Sequence, residues 1–545
     1  MSAIEGLRQV GQFVKPANMR RLREAGAVSP LSPIAVSAAL PWLLGRGPSL
    51  GVVSQMNSLV VGGKPAIHDR DGSLTWRELD GRANRLAHAL IGAGVQPGET
   101  IAALLRNGRE FVELLLATQK AGFVAAPLNT WGKTRELAAS IENAQPRLLL
   151  YDVKHKEQVE AIRPDGLPLV AAGDPTEALA GSTPYDEFLA RGAGRPPAPF
   201  TRKRAVPKVI IHTSGTTGAP KGARRDASAA GVSALTNLLQ VIPYRRDDIV
   251  LCPAPLFHSF GLATVTFAIA LGATLVLPER FGPEESLRLI ERHRATAASF
   301  VPVMIRRICN LPPEERACDL SSLRVVLASG SAMSPELRRA ASEVFGPVVY
   351  DLYGSTEAGW VSIATPEDLE KRPTSVGRPV PGIELALFDG DGKRVAAGAP
   401  GEIFVRSEVA FEGYTGGGSR QEREGFLSIG DVGRQDEEGY LFIEGRADDM
   451  VVVGGENVYP VEVEAAIEGV PGVQEAAVLG IEDPEYGQVL AAAVVGDVTE
   501  QQVIEACRSE LASYKVPRRV AVVDDLPRTG TGKVIKARVR ELLEK

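Results

Sequence analysis

Short apolar runs and amphipathic helical patterns alternate along most of this chain, and that rhythm restricts the fold more than any other feature. Ile101–Leu105, Phe123–Pro127 and Leu148–Tyr151 read as strands, separated by helical patterns at Glu110–Ala121 and Arg135–Asn143. A helix over Glu78–Gly92 precedes them, with Leu79, Ala83, Leu86 and Leu90 on one face, and a hairpin turning at Asp71-Gly72 comes before that. The rhythm resumes with strands at Ile249–Cys252, Ala273–Leu277, Ala297–Val301 and Val325–Ala328, and helices at Gly261–Leu271, Glu284–His293 and Pro335–Phe345. Strand–helix–strand repeats of this kind build mostly parallel sheets covered by helices. After Val376 the texture changes to short strands and turns, which predicts a β-rich subdomain. Beyond Arg446 a further α+β pattern begins, with helices at Val461–Ile467 and Thr499–Leu511. The expected architecture is therefore α/β: a large N-terminal domain over 61–446, a small C-terminal domain over 447–545, and an irregular extension over 1–60. Asp174–Pro199, rich in Gly, Pro, Ser and Thr, reads as a surface connection.

A chain of 545 residues has ample material for several domains. Its net charge of −6 provides no basic footprint for nucleic acid. The four cysteines form no CxxC pair and the six histidines are scattered, so neither a disulfide framework nor a metal cluster is expected. That usage suits a reducing, cytoplasmic compartment. The most apolar early run, Ile34–Leu44, is only 11 residues long, against the roughly 20 that a spanning helix needs. It reads as a short packed helix or as a surface element for peripheral membrane association.

Thr213-Ser-Gly-Thr-Thr-Gly-Ala-Pro-Lys-Gly222 follows an apolar strand pattern. Glycines let the backbone approach an anion, and successive N–H groups form a concavity that receives it. Thr213, Ser214, Thr216 and Thr217 add hydroxyl donors, Gly215 and Gly218 keep the loop tight, and Lys221 adds a point charge suited to phosphate. Only two residues separate Gly215 from Gly218 and Lys221 precedes Gly222, so this is not a Walker loop.

The loop resembles that of the adenylate-forming (ANL) enzymes, which include acyl-CoA synthetases, peptide-synthetase adenylation domains and firefly-type luciferases. Further stretches fall in the order that family requires. In Pro253-Ala-Pro-Leu-Phe-His-Ser-Phe-Gly261 the resemblance places His258 and Phe260 near the substrate carboxylate and acyl pocket. Amino-acid-activating members usually carry Asp at the position of His258, which argues against an amino-acid substrate here. Asp351-Leu-Tyr-Gly-Ser-Thr-Glu357 matches the family's Tyr-Gly-x-Thr-Glu pattern. It implies Tyr353 stacking on adenine, Asp351 at the adenine edge, Gly354 in the same turn, Thr356 on the α-phosphate and Glu357 on Mg²⁺. The Ser329-Gly-Ser-Ala332 loop departs from the family's wording, with Ser331 facing adenine. Asp431, in Ser428-Ile-Gly-Asp-Val-Gly433, is implied as the ribose ligand, and Arg446 lies near ribose and phosphate. Asp448 corresponds to the hinge of a mobile lid, Gly454 and Gly455 to the CoA tunnel, and Lys533 to the catalytic lysine.

The resemblance is strongest to bacterial medium- and long-chain fatty-acid–CoA ligases. It implies that ATP, Mg²⁺ and CoA are used and that a carboxylic acid passes through acyl-AMP. Phe260, Val265, Val301, Met304 and Trp360 are the pocket candidates, apolar and without a charge partner. Aryl acids and a carrier-protein acceptor are the alternatives, with a luciferase-like oxidoreductase more remote. A homodimer is compatible with the resemblance.

Overall fold

A computed structural model describes residues 20, 23–26, 49–198, 208–213, 221–226, 231–355, 358–407, 421–447, 449–453, 456–483, 487–529 and 533–543. A seven-stranded sheet has the spatial order Thr183–Pro184, Leu169–Ala172, Leu148–Asp152, Thr100–Leu104, Val124–Pro127, β1 (Lys208–Thr213) and β2 (Lys221–Asp226). Every neighbouring pair is parallel except the closing hairpin β1–β2, in which Thr213 lies opposite Lys221. The predicted phosphate loop thus joins the last two strands at one end of this sheet, of which β2 is the edge.

A nine-stranded sheet is parallel through its middle, from Pro65–Asp69 to Val349–Ser355, and antiparallel at both edges. Its helices include α1 (Ser259–Leu271), α2 (Pro302–Cys309) and α3 (Pro335–Phe345). The last parallel strand is β3 (Val349–Ser355). One buried apolar core joins both sheets, from Ile101 and Leu148 to Val250, Ala297 and Val325. The helix Trp76–Gly92 turns the expected face inward, with Leu79, Ala83, Leu86 and Leu90 fully buried, and Thr75 and Glu78 close its N-terminus as a capping box.

The β-rich subdomain is a five-stranded sheet built on β4 (Phe426–Gln435), which pairs with Gly401–Arg406, Glu422–Arg423 and Leu441–Arg446. The C-terminal domain has its own five-stranded sheet, dominated by the long hairpin Val473–Asp483 and Gly487–Gly496. The helix α4 (Pro460–Glu468) packs across it, and Val463, Ile467, Val478 and Leu490 form a separate core.

Two stretches differ from expectation. Residues 50–60 are not irregular: Leu50–Val60 is a helix capped by Ser49, and Asn57 Nδ2 donates to the Ile269 carbonyl of α1 at 2.8 Å. The 174–199 connection also carries structure. Its helix Tyr185–Ala190 buries Phe188 and Leu189, and the Tyr185 hydroxyl donates to buried Glu113 at 2.7 Å. Composition predicted exposure, but three large side chains close together anchor the segment. The run Ile34–Leu44 lies outside the described residues. Among the described residues no helix is long and apolar enough to cross a membrane.

Candidate active site

The candidate site lies where the strand ends of the large domain meet the β-rich subdomain, with the C-terminal domain above. The strands that flank the predicted phosphate loop pair as β1 and β2, but Ser214, Gly215, Thr216, Thr217 and Gly218 lie outside the described residues, as do Thr356, Glu357, Asp448, Gly454 and Gly455. Only the backbones of Thr213 and Lys221 are described, as the paired ends of the hairpin.

His258 is the N-cap of α1 in extended backbone, and its carbonyl accepts from Leu262 N–H at 2.9 Å. Gly261 follows because a Cβ there would stand 2.2 Å from the Pro255 carbonyl oxygen. The close approach lets the helix start directly on the Pro253–Phe257 turn. Burial pushes the His258 imidazole down to about 4, and the charge of Lys533 adds to this. The ring is therefore neutral near pH 7 and can accept or donate a hydrogen bond, but cannot supply a charge.

Lys533 follows the loop that begins at Arg528-Thr529, where Thr529 N–H donates to the Lys533 carbonyl at 2.7 Å. Its ammonium is near enough to influence both His258 and Asp431, two residues of the large domain. The charge of Lys533 is thus felt at two residues far from it in sequence, His258 and Asp431.

Asp431 on β4 is the polar centre of the site. Its carboxylate accepts from the Tyr353 hydroxyl and, at 3.1 Å, from Arg446, which lies opposite it in the strand ladder. Burial raises the Asp431 carboxyl, while Tyr353, Arg446 and Lys533 oppose that shift. Each carboxylate oxygen has two lone pairs, so both can still accept a hydroxyl. Burial, reinforced by Asp431, holds the Tyr353 phenol well above its ordinary value. The ring edge rests on the apolar cluster of Ala358, Val361 and Leu387. Gly354 turns the chain where a Cβ would meet the Gly359 carbonyl oxygen at 2.0 Å.

Asp351, expected at the adenine edge, is engaged within the large domain. Its side chain is buried and accepts from Arg338 of α3 at 2.6 Å. The ion pair joins α3 to β3; truncating either partner would strand a buried charge. Arg338 was not legible in advance, because only the fold brings it into contact with a partner 13 residues away in sequence.

Of the apolar pocket candidates, Phe260 and Val265 stand on α1, Val301 caps α2 and Met304 lies within it. Phe260, Val265, Val301 and Met304 are buried. Trp360 is half-buried, with its ring 5.1 Å from that of Phe267 on α1. Ser329 donates to the Leu352 carbonyl at 2.8 Å and ties the adjacent loop to β3, while Ser331 is exposed. Trp131 is a further aromatic that sequence reasoning missed. It is 46% exposed, yet its ring meets Phe257, beside His258, edge to face at 5.2 Å. Among the described residues no three His, Cys, Asp or Glu side chains converge as a metal cluster.

Parallel sheets, a β-rich subdomain, a nucleotide-loop hairpin and a separate lysine-bearing domain define an adenylate-forming architecture. The chain belongs to the AMP-binding enzymes: the family's sequence model matches residues 57–415, and that of the AMP-binding enzyme C-terminal domain matches 462–533. It is 34% identical over 495 residues to an indoleacetate–CoA ligase of Aromatoleum aromaticum, covering 88% of this chain and 95% of that protein. It is 31% identical over 480 residues to a long-chain-fatty-acid–CoA ligase of Mycobacterium tuberculosis, covering 86% and 93%. Among solved structures, the anthranilate–CoA ligase AuaEII in complex with anthranoyl-AMP superposes with a TM-score of 0.82 at 29% identity, covering 91% of this chain and 97% of that one.

The neutral His258 has a consequence for stability. In the unfolded chain the imidazole takes a proton as pH falls through 6.5, whereas in the fold it waits until about 4. The unfolded state binds more protons across that window, so the stability present above it is lost on acidification. Urea midpoints should fall more steeply for the wild type than for His258→Asn between those pH values. Parallel slopes would contradict the buried, neutral state.

Proposed function

We propose that this protein is an AMP-forming acid–CoA ligase acting on an apolar monocarboxylic acid. The observation that carries the reading is the match of both domains to the AMP-binding enzymes, with Asp431 accepting from Tyr353 and Arg446 and the charge of Lys533 felt at His258 and Asp431. In the proposed first step a carboxylate oxygen attacks the α-phosphorus of ATP, the bond to the β-phosphate bridge breaks, and pyrophosphate leaves. The Lys533 ammonium stabilises the charge moving across the carboxylate and α-phosphate, while Asp431 holds the ribose and Tyr353 the adenine. Thr213–Lys221 holds the departing phosphates. Such a site works by positioning and preorganised charge, with no side-chain nucleophile. Mg²⁺, which neutralises phosphate charge, is assigned to Glu357. In the second step the lid turns about Asp448, Gly454 and Gly455 line the path of CoA, and its thiol displaces AMP from the acyl carbon.

For the acid itself, the lining of Phe260, Val265, Val301 and Met304 is buried and apolar. Medium- or long-chain fatty acids fit that lining. Aryl acids are the second reading, favoured by the Trp360–Phe267 ring pair and by relatives acting on indoleacetate and anthranilate. A panel running from acetate to palmitate, with benzoates, cinnamates and indoleacetate, decides between them when CoA consumption and pyrophosphate release are read together. Pyrophosphate release without thioester would shift the acceptor to a carrier protein. Amino acids should be poor substrates, because a neutral His258 leaves the ammonium unpaired in a buried site, at a cost of several kcal/mol. Pyrophosphate exchange with an α-amino acid equal to that with the best apolar acid would overturn this reading.

A further inference from the structure

Glu468 ends α4 of the C-terminal domain but spends its carboxylate on the large domain. Its Oε1 lies 3.5 Å from Arg306 Nη2 on α2, and the Ser334 side chain, at the N-cap of α3, favours its charged form. From its own domain it accepts the Ala476 N–H at 3.4 Å. The other terminal nitrogen of Arg306 donates to the carbonyl of Gln474. Both side chains are largely enclosed, with 20% and 12% of their surface exposed. One guanidinium therefore grips both a carboxylate and a main-chain oxygen of the C-terminal domain, and charge-assisted bonds at a partly buried seam are the stronger kind.

The elements on the receiving side carry residues proposed above to line the acid site. Arg306 lies two residues beyond Met304 in the helix that Val301 caps, and Ser334 ends the loop that carries Gly330 and Ser331. We propose that Arg306, Ser334 and Glu468 form a clamp that seats the C-terminal domain against these elements, so that Arg306 and Glu468 are positioning residues for Lys533 in acyl-AMP formation. The clamp must open when the lid turns for thioester formation, and its carboxylate and guanidinium then pass into water. Burial raises the Glu468 carboxyl, in keeping with a group whose seat is worth keeping only while the donors are present.

This inference rests on the ligase reading, and the experiment separates the two. Arg306→Ala and Glu468→Ala should slow acyl-AMP formation about tenfold, the scale of a typical coupling between two states of a domain. Thioester formation from supplied acyl-AMP and CoA should be unchanged or faster, and Arg306→Lys should recover most of the first step. Energy transfer between one dye on each domain, with a non-hydrolysable acyl-AMP analogue bound, should report a less closed lid in both alanine variants. Equal losses in both half-reactions, or unchanged rates with unchanged energy transfer, would overturn the clamp. A wild type that makes neither acyl-AMP nor thioester would overturn the ligase reading, and a shifted lid in the variants would still support the clamp.

Discussion

Lys533→Ala should reduce acyl-AMP formation by on the order of 10²–10³, the usual cost of removing one preorganised donor from a developing charge. The lysine is exposed and its backbone is anchored through Thr529, so its truncation leaves the C-terminal core of Val463, Val478 and Leu490 intact. It acts from a different domain than the nucleotide hairpin, and its charge reaches His258 and Asp431 in the present arrangement of domains. Once the lid turns, that proximity is lost. Thioester formation from supplied acyl-AMP should therefore proceed at near wild-type rate. Stopped-flow pyrophosphate release without CoA reads the first step, and thiol consumption with acyl-AMP reads the second. Equal losses in both, with an unchanged circular dichroism spectrum, would refute a role confined to adenylation.

Asp431→Ala should raise the KM for ATP by on the order of 10², because two hydrogen bonds to a charged acceptor at roughly 1.5–3 kcal/mol each are lost and then partly compensated by water. The same change leaves Arg446 and the Tyr353 hydroxyl without their shared acceptor. A second readout separates ribose binding from this local disturbance. The wild type should prefer ATP over 2′-deoxy-ATP, whereas the variant should use both alike. If the variant keeps the preference, Asp431 organises Tyr353 and Arg446 and another group holds the sugar.

Much of the fold was legible because it follows from local periodicity. Val325–Ala328 and Pro335–Phe345 appear with the expected bounds, and the buried face of Trp76–Gly92 carries the expected leucines. Apolar spacing selects helix or strand residue by residue, and parallel order follows from the strand–helix rhythm. Leu50–Val60 and Tyr185–Ala190 were less legible. They are held by contacts with Ile269 and Glu113, far away in sequence, which no local pattern announces.

The site divides along the same line. Sequence alone determined which residue types stand in the short motifs proposed to grip phosphate, ribose and a migrating charge: the Gly-Thr loop, Asp431 and Lys533. Tertiary structure decided what those groups meet. It turned Asp351 onto Arg338, brought Tyr353 and Arg446 to one carboxylate, and set Glu468 against Arg306 across 162 residues. Motifs constrain backbone shape and donor type over a few residues, whereas an ion pair depends on the packing of whole elements, and that packing is settled by the shared core.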